Sequence, residues 1–352
     1  MNRQALLRDC RRVVVKIGSS SLANDGAVAR LASDVAELRA AGKSVVLVSS
    51  GAIALGYKKL GYKSRPKEMA KLQASAAAGQ SHLMHAYEGA FGKERIPVAQ
   101  VLLTHADLAD RTRANNAREA LGALLDAGAV PVLNENDSVA VEEIKFGDND
   151  QLAALVVPLV DADLLVLLSD VAGLLDGNGE RVAVVSDATE AASLVRPKKK
   201  SDLGTGGMAS KVEAARRATL AGANAVIADA RAEGVLSRIA AGEDVGTLFV
   251  RSEIRLSARR YWIAFTLRPR GAVVLDAGAV RAVRRDNKSV LAIGVLGVRG
   301  DFRAGDAVRV LAPEGDEIGR GLARLAAEDA LRIAGKKTDD NVLVHRDELV
   351  VW

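Results

Sequence analysis

Along the first 250 residues, short apolar runs rich in Val, Ile and Leu alternate with longer Ala-rich segments. The runs at residues 13–17, 45–48, 98–102, 130–133, 164–168 and 225–228 are apolar at nearly every position. That is the pattern of strands covered by helices on both faces. Residues 29–41, 68–91, 115–127, 150–159 and 207–221 read as helices. Strand and helix in alternation predict an α/β fold, a three-layer α/β/α sandwich around a mostly parallel central sheet.

Near residue 250 the pattern changes. After a basic stretch at 251–260 come short strands at 272–275, 289–293 and 307–311. Turn signals at Asp286-Asn287 and at residues 303–306 separate them, and one segment, 323–333, reads as a helix. The chain therefore divides into a first domain at 1–250, a linker at 251–270 and a small β-rich domain at 271–352.

Composition adjusts this picture only in part. A length of 352 residues fits two domains, and a hydrophobic fraction of 49% is ample for two cores. Aromatics make up 3%, so those cores must be built mainly from Ala, Val and Leu. The start MNRQALLRDCRR carries charges where a signal peptide needs its apolar run. No apolar stretch approaches the roughly 20 residues that span a bilayer. Cys10 is the single cysteine, which excludes an intrachain disulfide. Together these predict a cytoplasmic protein with no membrane partner. Residues 1–250 balance 30 basic against 30 acidic side chains, whereas residues 251–352 hold 19 against 14. The whole excess of +5 thus lies in the last hundred or so, which permits a polyanionic partner but equally describes a slightly basic surface.

Ligands of an open parallel sheet gather beyond the carboxyl ends of its strands. The predicted strand ends read Lys16-Ile17-Gly18-Ser19-Ser20, Ser49-Ser50-Gly51-Ala52, Asn134-Glu135-Asn136-Asp137 and Ser169-Asp170. All are small or polar, suited to helix starts whose free N–H groups hold anions. Any one is weak, since Ser and Gly cap helices everywhere; four in one chain point to a ligand site. The stretch NENDSVAVEEIKFGDNDQ at 134–151 is either a solvated loop or a grip on a small charged molecule. Further on, GTGGMASK at 204–211 runs into an Ala-rich helix. Its glycines allow backbone N–H groups close to phosphates, and Lys211 adds a cation one turn inside. Its order differs from a Walker A loop, where Lys follows the last Gly directly. A flexible linker after Lys198-Lys199-Lys200 is the bland alternative.

Lys16 and Lys211 suit phosphoryl transfer, which is mostly positioning plus neutralisation of moving charge. An acceptor carboxylate, already anionic at neutral pH, needs no general base. His82, His85, His105 and His345 all fall outside the strand-end turns, and His82 and His85 share one side of a long helix as surface or packing residues.

The motifs VVVKIGSSSL, VSSGAIALG, VLLTHADL, PVLNENDSVA, FGDNDQLAA and LGTGGMASK occur in an order that closely resembles the amino-acid kinase family, in particular its members acting on free glutamate. The runs GVLGVRGDFRAGDAVRVL and GRGLARLAAEDALRIAGK resemble a PUA domain. The resemblance implies an Mg2+- and ATP-dependent phosphorylation of the γ-carboxylate of L-glutamate, the first step towards proline. It implies that Lys16 contacts the transferring phosphoryl group, that Lys211 stabilises the same charge from the nucleotide side, and that Asp150 holds both. Ser50, Gly51, Asn134, Asp137, Asp148 and Asn149 would bind glutamate. Asp137 and Asp148 suit its ammonium; Asn134, Asn149 and the Ser50 turn suit its carboxylates. Gly18, Ser169, Asp170, Thr205, Gly206, Gly207, Met208, Ala209, Ser210 and Lys211 would cradle ATP, with no protein-bound metal site. Ser169-Asp170 departs from the family's frequent Thr-Asp but keeps the hydroxyl. A homo-oligomer and hand-off to a reductase that consumes the product are family expectations. RNA binding by the PUA-like domain is permitted rather than favoured, because aromatic platforms for bases are sparse. The rivals are an amino-acid kinase for acetylglutamate, aspartate, carbamate or a nucleotide, and an RNA-binding protein whose kinase-like domain is inert.

Overall fold

The computed structural model describes residues 2–24, 26–139, 149–188, 191, 207–337 and 342–352. Packing separates the chain into two units, Met1–Arg255 and Leu256–Trp352.

In the first unit, strands β1 (Arg12–Ile17), β2 (Ser44–Val48), β3 (Val98–Leu103), β4 (Val130–Glu135), β5 (Leu164–Ser169), β6 (Val184–Val185), β7 (Asn224–Asp229) and β8 (Thr247–Phe249) form one sheet. Its order is β3-β4-β2-β1-β5-β7-β8-β6. Every neighbouring pair from β3 through to β7 is parallel, while β8 runs antiparallel to β7 and β6 follows β8. The sheet is therefore mostly parallel, as the nearly unbroken apolar runs require. Alternate residues of these strands face opposite layers. Val13, Val15, Ile17, Val45, Leu47, Val132 and Val166 share a core with Leu31, Val35 and Leu38 of the helix Ala27–Ala40. Leu83, Tyr87 and Phe91 of the helix Met69–Lys93 join the same core. The opposite face is closed by the helices Asn149–Leu159 and Met208–Leu220, which pack on each other, on β1 and on β7. Asn149–Leu159 is buried at nearly every described position, so it is an interior helix with no solvent stripe.

Register places the site. Lys16 pairs with Val48 on one side and Leu167 on the other, and Val48 pairs with Leu133. The carboxyl ends of β1, β2, β4 and β5 thus lie along one edge. The chain moves from β1 to β2 on one side and places β5 on the other, so that edge contains a switch point in strand order, where α/β sheets hold ligands.

Two features of the first unit depart from the sequence reading. Ser50-Gly51-Ala52, read as a strand-end turn, leads directly into a helix, Ala52–Lys59, entered through Gly51 at φ +100°. A side chain at that φ would be strained. This helix crosses Met69–Lys93 at backbone contact: a Cβ on Gly56 would lie 1.7 Å from Ser75 O, and one on Gly79 would lie 1.8 Å from Ala52 O. The second departure is at the sheet margin, where β6 and β8 have only two and three residues and too little pattern to announce themselves.

The second unit has its own sheet of β9 (Gly271–Leu275), β10 (Val290–Leu291), β11 (Val295–Gly300), β12 (Ala307–Leu311), β13 (Glu317–Ala323) and β14 (Val342–Val351), in the order β10-β14-β13-β12-β9-β11. All its pairs are antiparallel except β9 with β12. Val273, Leu275, Val283, Phe302, Val308, Val310 and Val344 build its core. Helix Ala258–Tyr261 and a π-helical turn at Trp262–Thr266 precede β9. There Phe265 lies 5.0 Å from the Tyr261 ring and stacks at 6.3 Å on Trp352, so three of the chain's few aromatics fasten the start of this unit to its end. A helix at Ala277–Asp286, capped by Asp276 on Ala279 N–H, was not anticipated. The expected helix at 323–333 begins only at Ala327, because Ala323 closes β13. The expected strand at 289–293 is cut to β10 by a 3-10 turn at Ala292–Gly294.

Candidate active site

Lys16 stands on β1 and Lys211 in the first turn of Met208–Leu220, which starts at Gly207. Asp150 lies in the first turn of Asn149–Leu159. The three side chains meet. Lys16 Nζ pairs with Asp150 Oδ1, and Lys211 Nζ lies 3.1 Å from Asp150 Oδ2. Ser210 Oγ donates to the same Oδ2 at 3.1 Å. Asp150 is fully buried, and Lys16 and Lys211 are only 5% and 6% exposed. Burial pushes the Asp150 carboxyl up, but the charges and hydrogen bonds of Lys16 and Lys211 outweigh it and hold the group below the usual carboxylate range. Two buried ammonium groups share one carboxylate, so the cluster carries an excess positive charge and attracts an anion. Gly18 follows β1, and a Cβ there would lie 3.9 Å from Lys16 Nζ.

Beside this cluster is a network of amides. Asn149 Nδ2 lies 2.6 Å from Ser49 O, 2.8 Å from Ser50 Oγ and 2.9 Å from Asn134 Oδ1. Asn134, 2% exposed at the end of β4, donates from Nδ2 to Gln80 Oε1 at 2.8 Å. Its Oδ1 also accepts from Glu135 N–H at 2.9 Å. Read from sequence as donors toward acid groups, both Asn Nδ2 atoms are engaged within the protein. Ser49 Oγ in turn lies 2.9 Å from Tyr87 Oη, a fully buried hydroxyl whose ionisation burial pushes up. Gln80 and Tyr87 sit two turns apart on Met69–Lys93, on its buried face. The sequence marks neither, because both lie in the middle of a helix, away from the strand ends. His82 and His85, on the same helix, are exposed.

At the far end of the site's edge, Ser169 closes β5 and its Oγ donates to Asp170 Oδ1 at 3.2 Å. The turn after β7 braces this one: Ala230 N–H donates to Ser169 O at 2.8 Å, and Arg231 Nη2 to Asp170 O at 3.0 Å. Arg231 is itself held by both oxygens of Asp229. It is a third residue the sequence did not single out. Thr104 caps the helix His105–Ala109 through a reciprocal pair with Asp107, which accounts for the polar part of VLLTHADL. Asp137 lies in the turn after β4, and Met208 and Ala209 in the first turn of their helix. Asp148, Thr205 and Gly206 lie outside the described residues. Among the described residues no group of three or more His, Cys, Asp or Glu could hold a metal ion. No described helix is long and apolar enough to cross a membrane.

The amino acid kinase family model matches residues 11–229, and the PUA domain model matches residues 271–344. The chain is 45% identical to a glutamate 5-kinase of Cupriavidus metallidurans over 370 aligned residues, covering 99% of this chain and 100% of that one. A glutamate 5-kinase of Burkholderia ambifaria gives the same identity and coverage. Among solved structures, N-acetylglutamate synthase of Neisseria gonorrhoeae with coenzyme A and N-acetyl-glutamate superposes with a TM-score of 0.54 at 18% identity, covering 93% of this chain and 77% of that one. That likeness is one of fold.

Proposed function

The chain belongs to the amino acid kinase family, and from that premise we propose that it transfers the γ-phosphoryl group of ATP to the γ-carboxylate of L-glutamate. The observation that carries this reading is the convergence of Lys16 and Lys211 on Asp150 at the sheet's switch point. In the reaction a carboxylate oxygen attacks phosphorus, the bond to the β–γ bridging oxygen breaks, and ADP leaves with γ-glutamyl phosphate as the product. No proton has to be removed from the acceptor, so no general base is required. Negative charge spreads over the moving group, and Lys16 and Lys211 offset it from a water-poor setting where they are worth most. Asp150 is the positioning residue that keeps two like charges side by side. Mg2+, carried on the nucleotide phosphates, supplies further charge neutralisation when bound.

Ser50, Gly51, Asp137, Asp148 and Asn149 form the acceptor pocket in this reading. Asn149, with Nδ2 enclosed by three acceptors, offers its Oδ1 to the substrate ammonium. Asn134 acts through Asn149. Gly18, Ser169, Asp170 and residues 205–211 hold ATP. The product is an acyl phosphate prone to hydrolysis, so a reductase that takes it up promptly is the expected partner, and the chain is expected to form a homo-oligomer. Lys16→Ala and Lys211→Ala should each lower glutamate-dependent ADP formation by about a hundred- to a thousandfold while circular dichroism stays native. Full activity in either variant overturns the mechanism. Turnover of acetylglutamate or aspartate in preference to glutamate overturns the substrate.

A further inference from the structure

Gln80 has a buried amide nitrogen that the mechanism above does not use. The side chain is 8% exposed, and Nε2 has no acceptor among the described residues. It is the only buried side-chain amide nitrogen in that state among them. The assignment of its two ends follows from chemistry. Glu135 N–H can only donate, so the Asn134 atom facing it is Oδ1, and Nδ2 faces Gln80. Gln80 must therefore present Oε1 to Asn134, which leaves Nε2 as the spare donor.

The surroundings make this donor relevant. Asn149 Nδ2 is enclosed by three acceptors and one of the two N–H groups of Asn134 Nδ2 goes to Gln80, so little of the donor capacity of these amides is left for an acid group. A buried N–H without an acceptor is destabilising, and an entering anionic oxygen would relieve it. Tyr87, on the same helix, holds Ser49 and so fixes the network's other end. The hydrogen bonds therefore close a ring from Met69–Lys93 through Gln80, Asn134, Asn149, Ser49 and Tyr87 back to that helix.

We propose that Gln80 is a further residue of the acceptor pocket, its Oε1 orienting Asn134 and its Nε2 donating to a carboxylate oxygen of the bound amino acid. This rests on the kinase reading and deepens it. Gln80→Glu keeps the acceptor for Asn134 but replaces the donor with an anion, whereas Gln80→Met removes both. Steady-state kinetics on the full-length protein should show KM for glutamate raised about ten- to a hundredfold in Gln80→Glu. KM for ATP should remain within twofold, and glutamate should lose most of its protective shift in thermal unfolding. Gln80→Met should lose the same affinity and also lower kcat, because Asn134 is released. A wild-type KM for glutamate in Gln80→Glu overturns the donor role, as does a parallel rise in both KM values. If the wild-type chain itself does not turn over glutamate, the parent reading fails, a result distinguishable from either.

Discussion

Asp150 is the residue on which most depends. Its carboxyl lies below its unfolded value in the fold, so the ionised form is favoured there. That contribution is fully present above the ordinary carboxylate pKa of about 4 and is lost as pH falls through the lower folded value. Asp150→Asn takes away the anion that two buried lysines face, at a cost of about 3 kcal/mol near neutral pH. The stability gap to the wild type should then narrow as pH drops below about 4. Thermal unfolding of both proteins between pH 7 and pH 3 checks this, and parallel curves across that range refute it. The lysines were legible from sequence because each follows or opens an element in a Gly- and Ser-rich context. Gln80 and Tyr87 were not, since an Ala-rich helix offers no local sign of which polar residues its partner strands will engage.

At the scale of elements, the crossing of Ala52–Lys59 with Met69–Lys93 is built on two absent side chains. Gly56→Ala or Gly79→Ala would place a methyl against backbone carbonyls at less than 2 Å, so the helices must separate. The expected cost is roughly 1–3 kcal/mol or more. Because Ser50-Gly51 begins one helix and Gln80 follows Gly79 on the other, KM for glutamate should rise as well. Gly89→Ala is the control on the same helix: a Cβ there meets nothing within 4 Å, so stability should rise by about 0.5–1 kcal/mol. Denaturant unfolding with kinetics distinguishes them, and equal behaviour at all three positions contradicts the close-packing account. Strands β1, β2, β4, β5 and β7 were legible because burial on both faces keeps nearly every position apolar, whereas β6 and β8 were too short to read. The Ala52–Lys59 helix was hidden by its glycines, which read as a turn. β14 was hidden because His345, Arg346, Asp347 and Glu348 interrupt its apolar pattern.

At the scale of the molecule, the second unit has a sheet and a core of its own, and its aromatic contacts among Tyr261, Phe265 and Trp352 are internal. A fragment spanning residues 256–352 should therefore unfold cooperatively in denaturant, with the near-ultraviolet signal of Trp262 and Trp352 lost in the same transition. A broad, non-cooperative change would show that this unit depends on the rest of the chain. A change of pattern near residue 250 is visible in sequence because long crossovers give way to short antiparallel connections, and packing divides the chain between Arg255 and Leu256. Asn149 and Asp150 are neighbours in the chain, yet one belongs to the amide ring and the other to the pair of cations. On the proposed mechanism, a single peptide bond therefore ties recognition of the acceptor to compensation of the migrating charge. Any change that shifts this helix start disturbs both together, so evolution or design seeking a new acceptor has to work from the long helix and the far strand ends, where selectivity can drift while the cationic centre keeps its geometry.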